Sequence, residues 1–132
     1  MPYTAVNPHK LVAQRLATYP EVTALVPPSQ QSPGGVPQNA PMPFITWNQV
    51  SDDSDRTLDG ASGLKTPRMQ IDIYTRFPVT GYGQADQIAI AVRHALEDYE
   101  GLRYAGRNGP FPEYDTQLWH VTQDFQGLLI ED

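Results

Sequence analysis

RMQIDIY, residues 68–74, decides how this chain is built: Met69, Ile71 and Ile73 alternate with Arg68, Gln70 and Asp72. Successive side chains of a strand point to opposite faces, so the alternation marks a strand with one face in a core and the other wet. That strand spans about 66–76. Upstream, PQNAPMPFITW (37–47) leads into a second strand at about 43–50, and Pro41 and Pro43, which cannot donate to a ladder, place its start at a sheet edge. Residues 51–66 between the two strands are too many for a hairpin turn and too polar to bury, so they read as a large loop thrown out from the sheet. Such a loop suits a part that touches other subunits better than one that encloses a substrate.

The remaining elements follow from punctuation and period. Thirteen prolines and ten glycines crowd into 27–43, 60–67, 78–83 and 101–112, which are the connections. Val12, Leu16 and Tyr19 fall at i, i+4 and i+7, with Leu11 beside them, after Asn7 as N-cap and Pro8 in the first helical position; this is a first helix. Residues 21–26 add a short helical turn stopped by Pro27 and Pro28. The Pro/Gln/Gly-rich segment 27–43 is expected to run over the surface without regular structure. Ala85, Ile88, Ala89, Val92, Ala95, Leu96 and Tyr99 form one stripe of a second helix, capped by Thr80 or Gly83 and closed by Gly101. After a glycine-rich connection holding Leu102, Tyr104, Phe111 and Tyr114, a last strand at 117–125 puts Trp119, Val121 and Phe125 on one face, continued by Leu128–Ile130.

The expected architecture is a single α+β domain over 1–132 in the order α-β-β-α-β. Its mostly antiparallel sheet carries both helices packed on one face and the long loop between the two central strands. The other face, with Arg68, Gln70, Asp72, Tyr74 and Arg76, is left to solvent or to a partner.

Composition narrows the function. A chain of 132 residues holds one core. It has no cysteine, so disulfides, thiol nucleophiles and thiolate metal sites are out of reach. The N-terminal residues lack a secretory pattern and no stretch approaches the roughly 20 apolar residues of a membrane span, so a soluble protein with no membrane partner is expected. Fifteen acidic against nine basic side chains give a net charge of −6. Phosphate neutralisation drives most nucleic-acid affinity, so this chain is not expected to grip DNA, although DNA can slide past it.

No constellation of residues spells out chemistry. His9, His94 and His120 are isolated in sequence. The acidic run SDDSDRTLDGASG fails as a calcium loop, because Thr57 and Thr66 stand where the third and twelfth positions need oxygen ligands of another kind. Gly60-Ala61-Ser62-Gly63 is a turn, not a nucleophile elbow. Gly81-Tyr82-Gly83 opens a helix but lacks the third glycine and lysine of a phosphate loop, and Asp86 already answers the positive helix end. His120 and Asp124, on one strand, are about 13 Å apart, beyond hydrogen-bond reach. No catalytic, metal or cofactor site is therefore expected. One residue breaks the stripe of the second helix: Ile90, opposite it and ringed by Asp86, Gln87, Arg93, His94 and Glu97. A lone exposed aliphatic is commonplace, but Ile90 is also placed to anchor a subunit contact with the charged ring as its rim.

Pro37-Gln38 with APMPFITW (40–47), then RMQIDIY (68–74), then AIAVRHAL (89–96), in this order and spacing, resembles the tail completion or tail terminator proteins of long-tailed bacteriophages, also described as tail-to-head joining proteins. The resemblance covers most of the chain. It implies a non-enzymatic virion part of the tail or neck region, made in the host bacterial cytoplasm: a ring, commonly hexameric, that caps the tail tube, docks to the head connector and lets DNA through. It further implies that the loop between the central strands reaches a neighbour or the lumen. A domain of this length has a radius of gyration of about 14 Å, so about six in a ring leave a hole roughly 36 Å wide, enough for a duplex. The expected partner contacts are Asp52, Asp53, Asp55, Arg56, Leu58 and Asp59 in the polar loop, Phe44 at the sheet edge, and Ile90, Arg93 and Asp86 on the helix. Two alternatives stand beside this: a head-completion or neck connector of the same interface, and a non-viral ligand-binding domain with Tyr104, Phe111, Tyr114 and Trp119 around a pocket, unless those rings simply cover the sheet.

Overall fold

In the computed structural model, which describes residues 8–54, 64–127 and 129–130, the chain runs through α1 (Pro8–Thr18), α2 (Pro20–Thr23), β1 (Gln31–Pro33), β2 (Phe44–Ser54), β3 (Leu64–Arg76), α3 (Thr80–Leu96), β4 (Arg103–Glu113), β5 (Leu118–Gln126) and β6 (Leu129–Ile130). The strands lie in the order β1-β2-β3-β5-β4, with β6 pairing β3 beyond the end of β5. All neighbours are antiparallel except β1 and β2. This is the expected α+β fold, with the strand built on the 68–74 alternation at its centre.

Met69, Ile71 and Ile73 are fully buried, as are Ile45 on β2 and Val121 and Phe125 on β5. They meet the α3 stripe of Ala85, Ile88, Ala89, Val92, Ala95 and Leu96, and Val12 and Leu16 of α1, in one core. Each large aliphatic buried there stabilises the fold by about 1.5–3 kcal/mol against leaving it in water. Small alanines on the inner face of α3 let the helix approach the sheet closely enough for the Gln123 side chain to donate to the Ala89 carbonyl at 2.9 Å. Arg15 joins the two long helices: its Nε donates to the Ala95 carbonyl in the last turn of α3, at 2.8 Å, and its guanidinium lies against Tyr19 and Tyr99. A cation placed there also answers the negative end of the helix. No helix among the described residues is long and apolar enough to cross a membrane.

Several sequence expectations are corrected. The connection expected at 101–112 is largely a strand, β4. Its Gly106, Gly109, Pro110 and Pro112 read as turn chemistry, but β4 is the sheet edge, where a proline can face away from the ladder, and the register shifts after Tyr104 and Asn108 are bulges. Segment 27–43 is not without regular structure: Pro28–Gln30 make a 3-10 turn and β1 follows. There the Gln31 side chain donates to the carbonyls of Leu16 and Val26. The edge expected at Phe44 is occupied, because β1 pairs with Ile45–Trp47 and Phe44 itself is only 3 % exposed. Last, the loop expected at 51–66 is shorter, since β2 and β3 stay paired out to Ser54 and Lys65 as a ribbon, with β6 on the other side of β3 at Leu64 and Lys65. The helix α3 also ends at Leu96, before the turn that holds Gly101, and its N-cap is Val79 without a side-chain cap. Asn7 lies outside the described residues.

Candidate functional site

On the sheet face away from the helices, the wet side of the 68–74 alternation is not simply wet. Asp72 is 5 % exposed. It accepts hydrogen bonds from His120 Nε2 at 2.7 Å, Thr122 Oγ1 at 2.9 Å and the Gln70 amide at 3.1 Å. The other ring nitrogen of His120, Nδ1, lies 2.8 Å from the Glu113 carboxylate. Tyr74 stacks on the imidazole with centroids 4.3 Å apart, and Phe111 covers it at 4.9 Å. Three strands, β3, β4 and β5, are thus tied through one ring.

A neutral imidazole has one N–H; a ring with a carboxylate at each nitrogen is best satisfied as the imidazolium. Burial pushes the His120 pKa down, but the hydrogen bonds and charges of Asp72 and Glu113 outweigh it, leaving it above the ordinary histidine value. Burial likewise pushes Asp72 up, and its bonds from His120, Gln70 and Thr122 bring it below the usual carboxylate value. Tyr74, half-buried and near both carboxylates, is pushed up to about 12. Because both nitrogens of His120 are engaged, neither is open to take a proton from Thr122, whose hydroxyl lies 3.3 Å away; the cluster is a clamp and not a nucleophile with its base.

The clamp sets a pH dependence. A histidine raised in the folded state contributes stability that is complete below its unfolded value, near 6.5, and is lost as pH rises through the folded value. Asp72, lowered, contributes above its unfolded value and loses that contribution as pH falls through the folded one. The melting temperature is therefore expected to hold between the carboxylate and histidine ranges and to fall on the alkaline side. In His120→Gln, thermal melts from pH 5 to 9 should lack that alkaline fall; an identical slope in both proteins would remove His120 from the account.

On the helix side, Ile90 is 44 % exposed, and the rim expected around it is engaged within the chain. Arg93 pairs with Glu97 at 2.9 Å and lies over the Tyr104 ring at 3.9 Å. Asp86 pairs with Arg107 of β4, and His94 with Glu21 of α2 at 3.0 Å. Exposed pairs like these are screened by water, so they shape the surface more than they stabilise it. Ile90 borders a groove of about 370 Å³ between α2 and α3, lined by Glu21, Ala24, Leu25 and Gln87.

The four aromatics offered for a pocket go three ways. Tyr104 packs on Phe125, Phe111 sits on His120, and Tyr114 and Trp119 join Phe77 and Tyr82 where β3 meets α3. That last group is an exposed patch: Tyr114 is 77 % exposed, Val79 79 % and Tyr82 47 %. Sequence reasoning could not group Phe77, Val79 and Tyr82 with Tyr114, because a β-turn in one part of the chain meets a helix start in another. At the other end, Asp52 and Asp53 pair with Pro67 and Thr66 near the end of the β2–β3 ribbon, while Asp55, Arg56, Leu58 and Asp59 lie outside the described residues.

These are the parts of the described surface left exposed. The family model described as tail completion protein gp17 matches residues 10–129. The chain belongs to that family. It is a structural protein of a phage-type tail, as its sequence blocks implied. Among curated proteins none matches it. Among solved structures, a chain of the virion of a native gene transfer agent (GTA) particle is similar, with a TM-score of 0.69 and 20% identity over 90% of this chain and 91% of that one; a likeness at that identity speaks for the fold. For this tail completion protein the residues of interest are those left exposed, Ile90 and the aromatic end, together with the ribbon. Phe44, buried in the sheet, is not among them.

Proposed function

We propose that this tail completion protein assembles with five copies of itself into a hexameric ring that closes the end of the tail tube, meets the head connector, and leaves a channel for DNA. The observation that carries the reading is the match to the tail completion family over residues 10–129. Two further features support it. The β2–β3 ribbon, edged by β6, extends beyond the pairing of β1 and β5, giving the domain an arm with which to reach a neighbour. The net charge of −6 makes the wall of a channel repel DNA, as a conduit requires.

Shortening residues 55–63 to Asn-Gly, a pair suited to a tight hairpin, should leave the melting temperature within a few degrees, since the ladder ends at Ser54 and Lys65 on the near side. Tails made with this variant should be overlong or headless in electron micrographs, as should tails made without the protein. Normal particles from the shortened variant would sink the ribbon's part in joining; normal particles without the protein would sink the function.

A further inference from the structure

We infer that the ring contact is head-to-tail, with the aromatic end of one copy, led by Tyr114 and Val79, seated in the groove beside Ile90 of the next. The inference rests on the ring reading and names its contact. A closed ring needs two different, mutually fitting patches on every chain. The described surface supplies both: a projecting apolar end and an apolar groove of about 370 Å³.

A chain cannot satisfy the two against each other. Tyr114 is 77 % exposed and Ile90 44 %. Tyr82, at the aromatic end, and Ile90 stand on the same helix about 12 Å apart along its axis, so the patches lie on different parts of one rigid element. Among the remaining exposed large hydrophobics, Phe111 is committed to His120, and Val50 lies at the register shift of the ribbon. The composition of the projecting end, tyrosine and tryptophan around an aliphatic, is that of the few residues that dominate binding energy at interfaces. Charge fits as well. The groove's rim carries His94 beside Glu21, while the aromatic end brings Asp115, next to Tyr114. Asp115 can thus meet His94 across the contact.

The absence of cysteine makes the test direct. Ala24→Cys places a thiol in the groove and Asp115→Cys one beside Tyr114, both at exposed positions. With a short bismaleimide, on the purified chain and on tails assembled with it, the double variant should give a ladder of multimers ending in a closed ring. An equimolar mixture of the single variants should stop at dimers, and each single variant alone should stay monomeric. Adding Tyr114→Ala or Ile90→Glu to the double variant should cut the ladder about tenfold, the loss of one modest interface anchor. Asp115→Cys alone cross-linking to itself as well as the double variant does would mean a two-fold contact and overturn the inference. So would a missing ladder on chains that light scattering or micrographs find in rings, which leaves the ring reading standing. A missing ladder together with tails that finish normally without the protein overturns both.

Discussion

Gly81→Ala is expected to leave little folded protein. Gly81 is buried in the first turn of α3, and a Cβ built on it would lie 1.8 Å from the Arg76 carbonyl oxygen and 2.8 Å from Cδ1 of Trp119. Neither neighbour yields cheaply. The carbonyl belongs to the last residue of β3, and Trp119 is held by its indole N–H on the Pro78 carbonyl at 3.1 Å and by contacts with Phe77 and Tyr82. The Thr75 hydroxyl also donates to the Gly81 carbonyl at 2.6 Å, so backing the helix away breaks a buried hydrogen bond. The expected cost is upward of about 4 kcal/mol, a large share of the roughly 5–15 kcal/mol that separates a domain from its unfolded chain. Circular dichroism and thermal melts should find the variant unfolded or melting at least about 10 °C lower. Gly83→Ala is the control. A Cβ there meets nothing within 4 Å, and alanine is the better helix former by about 0.5–1 kcal/mol, so that variant should melt slightly higher. Equal effects from the two would remove the steric account.

Asp72→Ala is expected to cost about 3–5 kcal/mol, because it strips the partner from a half-buried imidazolium. His120 and Asp72 side chains are 12 % and 7 % exposed, so water cannot readily replace what is lost. Three donors, from His120, Thr122 and Gln70, lose their acceptor together. Glu113 alone would then hold the ring, and with it β4, the edge strand whose ladder is already interrupted by two bulges. The interaction is testable as a cycle: Asp72→Ala and His120→Ala together should cost less than the sum of the two single changes by at least about 1 kcal/mol, measured by urea unfolding at pH 6. Strict additivity would mean that the clamp is geometry without energy.

The parts of the fold that were legible in sequence are those governed by a local period. The 68–74 alternation placed Met69, Ile71 and Ile73 in the core, and the stripe on α3 placed its alanines, Ile88, Val92 and Leu96 there too. Ile90 was legible as the exposed exception for the same reason. β4 was not legible, because glycine and proline signal a turn unless the residue is known to face the free side of a sheet edge, and an edge exists only after the strands are ordered. Phe44 was misplaced on the same ground: β1, drawn from a Pro- and Gln-rich segment, covers the edge that its own strand was expected to present.

Sequence by itself determined the strands and helices with a clear repeat, a single core, and the family of tail proteins. Those depend on neighbours along the chain, whose spacing is fixed by the geometry of a helix turn or a strand pleat. Only the tertiary structure decided that Asp72, Glu113 and His120 form one clamp and that Phe77, Val79, Tyr82 and Tyr114 form one exposed end. Side chains far apart in sequence meet only when the order and register of β3, β5 and β4 bring them together, and no local pattern encodes that register.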